Sequence, residues 1–422
     1  MPNQIVEGKT KIITELDALT GKVVIHSKDD ITAGDGKKHD VVPGKGAAST
    51  RTTSNVFRLL KICGIPVAFD EQVNDVKFVA DRCSMIPLEV VVRRQAYGSC
   101  LERNPHFKKG LVFPQLKYEL YLKTNGRKWG EYDLVCDDPL IKLTTEGQCE
   151  LYNPHTSIHG AKPFLTLDDW PLKDQPGVSD QIYQYALQVF LILEKAWSLL
   201  RGTLIDFKLE FGLLPDNSVV LADVVDSDSW RVLFEGVHFD KQFYREGGDV
   251  HKLLEKYVQA AELTSRFALP KQAMIFWVGS PSDNCQKMFD AYNRYSVPGV
   301  ELYRVESSMH KAPIQSIQSL NAKLAQVPDS VVIAFIGMSN GAGPALAANC
   351  TVPVIAVPAN MVDFPEDVWS SLRTPSNVPL MTVTDPSNAV LAGLQILAMR
   401  NPAQYAKLRF AQEQRLVNFF TF

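Results

Sequence analysis

Ala273-Met274-Ile275-Phe276-Trp277-Val278 runs without a polar residue into Gly279-Ser280-Pro281-Ser282-Asp283. A short apolar run bounded by turn residues reads as a strand buried on both faces. The segment after it carries Cys285, Met288, Phe289, Tyr292 and Tyr295 at helical spacing. Strand-like runs return at Val300–Val305, Val331–Ile336, Val352–Val357 and Leu380–Val383, with helix-like stretches between them. Alternating strands and helices with apolar strands predict a parallel sheet covered on both faces, a three-layer α/β domain. Ligands of open α/β sheets bind outside the carboxyl ends of the strands. Three of these strands run into polar loops, Gly279–Asp283, Ser307–Lys311 and Gly337–Gly343. Such loops can present backbone N–H groups and hydroxyls to a phosphate, or serve as ordinary turns.

Upstream of Leu269-Pro270 the pattern differs. Gly21–Ser27, Val76–Ala80, Pro87–Val92 and Thr203–Phe211 read as strands, and Arg51–Ile62 and Gln181–Leu200 as helices. Strands and helices arriving in blocks predict an α+β domain. The polar, Pro- and Gly-bearing stretch from Lys123 to Gly177 reads as a long loop or insertion. A chain of 422 residues is long enough for two or three domains. We place them at 1–262 and 271–422, joined by a linker at 263–270.

A formal charge of −3 with both signs interspersed gives no field for nucleic acid or an anionic membrane, so neither partner is expected. No run approaches the ~20 apolar residues of a membrane helix. Met1 to Lys11 is polar, without a signal-peptide core, which suggests the cytoplasm. The seven cysteines are scattered with no CxxC pair, as expected of reduced, mostly buried thiols.

Two stretches of the first domain carry chemistry. Glu7-Gly8-Lys9-Thr10-Lys11 is no Walker A loop, since Asn3 stands at the upstream glycine position and no strand precedes it. Its lysines can neutralise nucleotide phosphates, although a solvated basic turn fits as well. On Thr203–Phe211, alternation sets Asp206, Lys208 and Glu210 on one face. A Pro215-Asp216-Asn217 turn leads into Val219–Ala222 and then Asp223, Asp226 and Asp228. Carboxylates massed at a strand end repel unless a cation or arginine compensates. Mg²⁺ bound to a nucleotide needs only one or two of them. A solvated acidic loop is the plainer alternative.

The N-terminal motifs resemble those of SAICAR synthetases. Glu7–Lys11, Ser27-Lys28-Asp29-Asp30-Ile31-Thr32-Ala33, Arg93-Arg94-Gln95-Ala96-Tyr97-Gly98-Ser99, Asp206–Gly212, and Leu221-Ala222-Asp223 through Asp228-Ser229-Trp230-Arg231 stand in that family's order. The resemblance spans most of 1–262 and is greatest to the animal bifunctional enzymes, which share Asp-Ser-Trp-Arg. It implies a ligase that phosphorylates the carboxylate of carboxyaminoimidazole ribotide with ATP. The amine of L-aspartate then displaces phosphate to leave an amide. It further implies Lys9, Lys11, Lys208 and Glu210 at ATP, and Glu210 and Asp223 at Mg²⁺. Arg93, Ser99, Arg231 and Arg245 fall on the substrate side.

The three C-terminal loops resemble those of aminoimidazole-ribotide (AIR) carboxylases: Gly279–Asp283, Ser307-Ser308-Met309-His310-Lys311, and Ser339-Asn340-Gly341-Ala342-Gly343-Pro344. The resemblance implies His310 as the proton shuttle at the carbon that gains CO₂, with Ser307 and Lys311 beside it. Ser280, Ser282, Asp283, Ser339, Asn340 and Gly341 would bind substrate. The animal-type form implies direct use of CO₂ without biotin, and a homo-oligomer, an octamer in that family.

Some residues depart from the family patterns. Pro43 precedes Gly44-Lys45 where Glu is usual, and the Lys123 to Asp138-Pro139 segment is stretched. Met309 stands where Ala is usual and Met338 where animal-type enzymes have Arg. The last two motivate an alternative: an active ligase whose degenerate C-terminal domain is an oligomerisation scaffold. A kinase-like regulator is a third reading, resting on the Gly/Lys N-terminus alone.

Overall fold

The computed structural model describes residues 4–17, 20–33, 38–124, 126–144, 147–337, 339 and 341–417. The chain forms two compact units that divide between Ala268 and Leu269, with residues 413–417 grouped with the first.

In the first unit, a five-stranded antiparallel sheet runs in the order Gln4–Glu7, Lys11–Asp17, Lys22–Ser27, Lys77–Asp81, Phe69–Asn74. Lys22–Ser27 shows the expected alternation, with Val23, Ile25 and Ser27 buried and the residues between them half-buried. Helix Lys45–Ile62 buries Val56, Phe57 and Leu60, and the Phe57 ring packs 5.7 Å from that of Phe69. Its first turns escape an apolar-periodicity reading because they bury Lys45, Ser49, Thr50, Thr52 and Thr53, all polar. The helix therefore starts at Lys45 and not at Arg51.

A ten-stranded sheet completes this unit. Its main path is Leu165–Leu167, Cys149–Tyr152, Leu140–Leu143, Val112–Leu122, Leu88–Gln95, Gly202–Leu213, Trp230–Phe234, Val237–His238. Val219–Ala222 and Ser84–Met85 also pair with Gly202–Leu213. Helix Pro176–Leu199 opens on a proline, whose missing N–H is not needed in a first turn. Phe190 of this helix lies 5.2 Å from Phe207, ring to ring.

The expectation of a loop from Lys123 to Gly177 is corrected. Lys128–Trp129 pairs with Tyr132–Asp133, and Leu140–Leu143, Cys149–Tyr152 and Leu165–Leu167 extend the large sheet. These strands have two to four residues, too few for a period of two to show between Pro139, Gly147 and Pro154. Pairing on to Val112–Leu122, directly or strand by strand, is what orders the last three.

Helix Val250–Thr264 begins at Asp249, whose carboxylate accepts from the N–H groups of His251 and Lys252, each at 3.0 Å. The connecting stretch therefore begins at Ser265.

The second unit holds a five-stranded parallel sheet in the order Val300–Glu306, Gln272–Val278, Ser330–Ile336, Val354–Pro358, Met381–Thr382. Met274, Phe276 and Val278 face Met288 of helix Gln286–Tyr295 and Leu394 of helix Pro386–Ala398. Ile275 and Trp277 face the other way, to Leu320 of helix Pro313–Gln326 and Leu346 of helix Ala342–Ala348. Burial on both faces is why the run from Ala273 to Val278 needs no polar residue. Among the described residues no helix is long and apolar enough to cross a membrane.

Candidate active sites

The first unit contains a cleft of about 940 Å³ lined by apolar residues including Ile13, Val23, Ile25 and Phe78, and by Lys11, Lys123, Glu210 and Asp223. Local structure brings the acids together. Glu210 stands opposite Ala222 across the hairpin, so Asp223, the next residue, lies beside it. Asp223 takes a left-handed φ of 62°, which aspartate tolerates better than most residues. Lys11 ion-pairs with Asp223, and Lys123 with Glu210. Burial pushes the Glu210 carboxyl up, and the Asp223 charge adds to the effect. Burial works against the Asp223 charge as well, but Lys11, then Lys123 and Lys208, hold that carboxyl below its ordinary value. Lys9, by contrast, is exposed in the turn where Gly8 N–H donates to Lys11 O at 2.8 Å.

A smaller pocket of about 330 Å³ is lined by Arg93, Asp206, Lys208, Asp228, Arg231 and Arg245, among others. Strand Gly202–Leu213 thus feeds both cavities, Glu210 to the first and Asp206 and Lys208 to the second. Lys208 Nζ lies 2.7 Å from Glu89. Arg93 is 4% exposed and donates to Glu119 at 2.8 Å and to Asp206, so carboxylates occupy much of its fork. Arg231 donates to the same Asp206 at 2.8 Å. Burial, then the Arg231 charge, push the Arg245 guanidinium below its usual range, with Asp240 and Asp228 acting against them.

Ser99 begins helix Ser99–Arg103, directly after Gly98. Gly98 has φ 56°, and a Cβ there would stand 2.5 Å from an Arg231 guanidinium nitrogen. Gly98→Ala is expected to cost roughly 1–3 kcal/mol through backbone strain alone, read from the urea unfolding midpoint. It should also displace Arg231.

Several members of this site were not legible in the sequence. Lys45 is buried, 2.9 Å from Asp228, which also accepts from Tyr257 Oη at 2.6 Å. Burial opposes the Lys45 charge, but Asp228 and Asp226 raise its pKa above the usual lysine value. Burial, with the charge of Asp228, pushes the Asp226 carboxyl up to about 6. Glu119, Arg103 and Lys241 were missed for one reason: each is defined by a partner distant in sequence. The Gly44-Lys45 pair and the Lys123 to Asp138-Pro139 segment were the local signals for Lys45 and Lys123.

In the second unit the loops after the strands converge. Ser280 N–H donates to Asp283 at 2.9 Å, and the Ser280 and Ser282 hydroxyls are 2.9 Å apart. A Cβ on Gly341 would stand 2.8 Å from His310 Nε2, so glycine is what lets the imidazole approach that loop. A Cβ on Gly337 would meet Asn360 Nδ2 at 3.3 Å and Asp283 Oδ1 at 4.0 Å. Four loops therefore meet here, including one that carries the unforeseen Asn360. Ser307 Oγ is 2.6 Å from Ser316 Oγ, and its carbonyl accepts from Trp277 Nε1 at 3.1 Å. Ser307 is thus held from below, whereas His310 and Lys311 are exposed. Ser339 N–H donates to Asp367 at 3.0 Å. Asn340 and Met338 lie outside the described residues. Met309 packs on the apolar cluster of Ile275 and Trp277.

Comparison with known proteins matches this division. A SAICAR synthetase family model covers residues 4–145 and 171–262, and an AIR carboxylase model covers 273–416. The Caenorhabditis elegans protein named "Probable multifunctional protein ADE2" is 34% identical over 99% of this chain and 95% of its own length. The chain belongs to the bifunctional AIR carboxylase/SAICAR synthetase family of purine biosynthesis. The Rattus norvegicus "Bifunctional phosphoribosylaminoimidazole carboxylase/phosphoribosylaminoimidazole succinocarboxamide synthetase" is 34% identical, over 96% of this chain and 92% of its own. A crystal structure of the Ehrlichia chaffeensis phosphoribosylaminoimidazole-succinocarboxamide synthase has a TM-score of 0.50 at 24% identity. It covers 63% of this chain and 99% of its own, and it shows the ligase-type fold of the first unit.

Within this family frame, residues 146–170 fall between the two pieces matched as SAICAR synthetase. Part of the stretch expected to be an insertion is thus unmatched, although it is ordered as strands. No finding favours the reading of the AIR carboxylase domain as a degenerate scaffold.

The half-buried Glu119 gives this family member a pH signature. Burial opposes its charge, but Arg93 and Arg103 hold its carboxyl down to about 2. A carboxyl depressed by folding stabilises above its unfolded pKa of ~4 and loses that contribution as pH falls toward 2. Glu119→Gln is expected to cost roughly 3–5 kcal/mol at pH 7, because the arginines keep buried charge. The gap from the parent protein should narrow below pH ~4 in urea titrations at the two pH values.

Proposed function

We propose that this chain carries both family activities, the ligase in the unit that ends at Ala268 and the carboxylase in the unit that begins at Leu269. AIR and CO₂ give the carboxylated ribotide and a proton. That ribotide, ATP and L-aspartate then give SAICAR, ADP and phosphate. The observation that carries the ligase reading is one strand, Gly202–Leu213, feeding a cationic and carboxylate-lined cleft and an arginine-rich pocket. ATP would occupy the larger cleft, with Lys11 and Lys123 at its phosphates, and the ribotide the smaller, beside Arg231, Arg245 and Ser99. Arg93 would act from behind, through Asp206.

Glu210 and Asp223 fit a nucleotide-bound magnesium ion. They are an acid pair, Glu210 buried and Asp223 half-buried, whose mutual repulsion a cation relieves, and such an ion needs only one or two carboxylates. Bound there, the ion would neutralise phosphate charge. The side chains themselves orient the ribotide carboxylate toward the γ-phosphate and exclude water. In the second domain, His310 would take the proton released from the imidazole carbon as the bond to CO₂ forms. We further propose a cytoplasmic homo-oligomer that uses no biotin.

Purified protein given the carboxylated ribotide, ATP, Mg²⁺ and aspartate should form ADP and SAICAR in equal amounts. ADP formed at the same rate without aspartate would overturn the ligase assignment.

A further inference from the structure

Arg103 lines neither cavity, yet it is 2% exposed and bonds to Ser99 and to Glu119, the carboxylate that holds Arg93 of the smaller pocket. Its Nη1 donates to Ser99 Oγ at 3.1 Å and to Pro154 O at 3.2 Å, and its Nη2 to Glu119 at 2.5 Å. From Glu119 the charges alternate through Arg93 and Asp206 to Arg231. One guanidinium therefore holds the Ser99 hydroxyl directly and Arg231 through a buried chain of alternating sign. Arg103 is itself clamped, because its carbonyl accepts from Ile158 N–H at 3.1 Å. Ile158 packs on the cluster of Val91, Tyr121, Leu140 and Tyr152. Pro154 and Ile158 both lie in the 146–170 stretch that the SAICAR synthetase model leaves unmatched.

We infer that Arg103 is a positioning residue for the phosphate side of the ribotide pocket, locked in place by the Pro154–Ile158 loop. This rests on the assignment of that pocket to the ribotide. The physical reason is rigidity. Ser99 and Arg231 sit on different elements, and a common buried anchor fixes their separation before substrate arrives. Pre-placed donors lose no ordering entropy on binding. Only a planar, five-donor fork can serve Ser99, Pro154 and Glu119 together, so lysine restores part of the function at most.

The test measures steady-state kinetics for each ligase substrate in Arg103→Lys, Arg103→Met, Ser99→Ala and the Arg103→Lys/Ser99→Ala double variant, with urea midpoints alongside. For Arg103→Lys we expect KM for the carboxylated ribotide to rise about 10- to 100-fold while KM for ATP stays unchanged. Arg103→Met should lose more if it folds, so lysine acts as a partial rescue. The two changes in the double variant should be less than multiplicative, since they act through one contact. Ribotide KM equal to the parent's in Arg103→Lys, with Ser99→Ala impaired, would overturn the inference. So would an equal rise in KM for all three substrates. If Ser99→Ala, and Arg231→Ala measured beside it, leave ribotide KM untouched, the pocket assignment itself has failed.

Discussion

Replacing His310 by Asn should lower AIR carboxylation by about 10²–10⁴-fold, the usual contribution of a positioned proton acceptor. Ligase turnover from the carboxylated ribotide should be unaffected. The argument is geometric. His310 lies in the loop after a parallel strand, and its Nε2 is so near Gly341 that a Cβ there would stand 2.8 Å away. An imidazole held against a backbone that bears hydroxyls and N–H groups can meet a ring carbon while its neighbours hold the phosphate. Asn keeps the size and polarity but cannot accept the released proton at neutral pH. The measurement is consumption of labelled bicarbonate at saturating AIR. Full carboxylation by the variant would remove His310 from the proton-transfer role, and no carboxylation by the parent protein would return the scaffold reading of the second domain. Gly341→Ala should have a related but smaller effect, by pushing the imidazole aside.

Asp223→Asn should lower ADP formation by roughly 10²–10³-fold, in the range for loss of one charged group at a site of developing charge. The half-saturating Mg²⁺ concentration should rise with it. Asp223 and Glu210 are two acids set side by side by a hairpin, and Lys11 and Lys123 hold them in readiness. Removing one charge should relieve the repulsion on Glu210, so stability should not fall as far as activity. A magnesium titration of rate and a urea titration of folding, run together, separate the two. A large loss of stability with normal Mg²⁺ dependence would make the pair structural instead.

Much of the second domain could be read from the chain alone. Ala273–Val278 and Val331–Ile336 are apolar throughout because each face of a central parallel strand meets helices, and that requirement is written residue by residue. The loops ending those strands were equally visible, since the chemistry of a βα turn is local. In the first domain, period two placed Asp206, Lys208 and Glu210 on one face before any coordinates. Glu210 and Asp223 were brought together by the resemblance to SAICAR synthetases.

Tertiary structure decided what depends on partners far apart in sequence. The short strands from Leu140 to Leu167 have no periodicity of their own and exist because Val112–Leu122 offers an edge to the first of them, on which the next two add in turn. Arg93 looks like a free phosphate fork in the motif, but Glu119 and Asp206 occupy much of it in the fold. Lys45 and Arg103 are polar residues in a polar context, indistinguishable from solvated ones until burial forces each to find a carboxylate. Hydrophobic patterning records which side faces the core, whereas charge pairing is a distance, and distances belong to the folded chain.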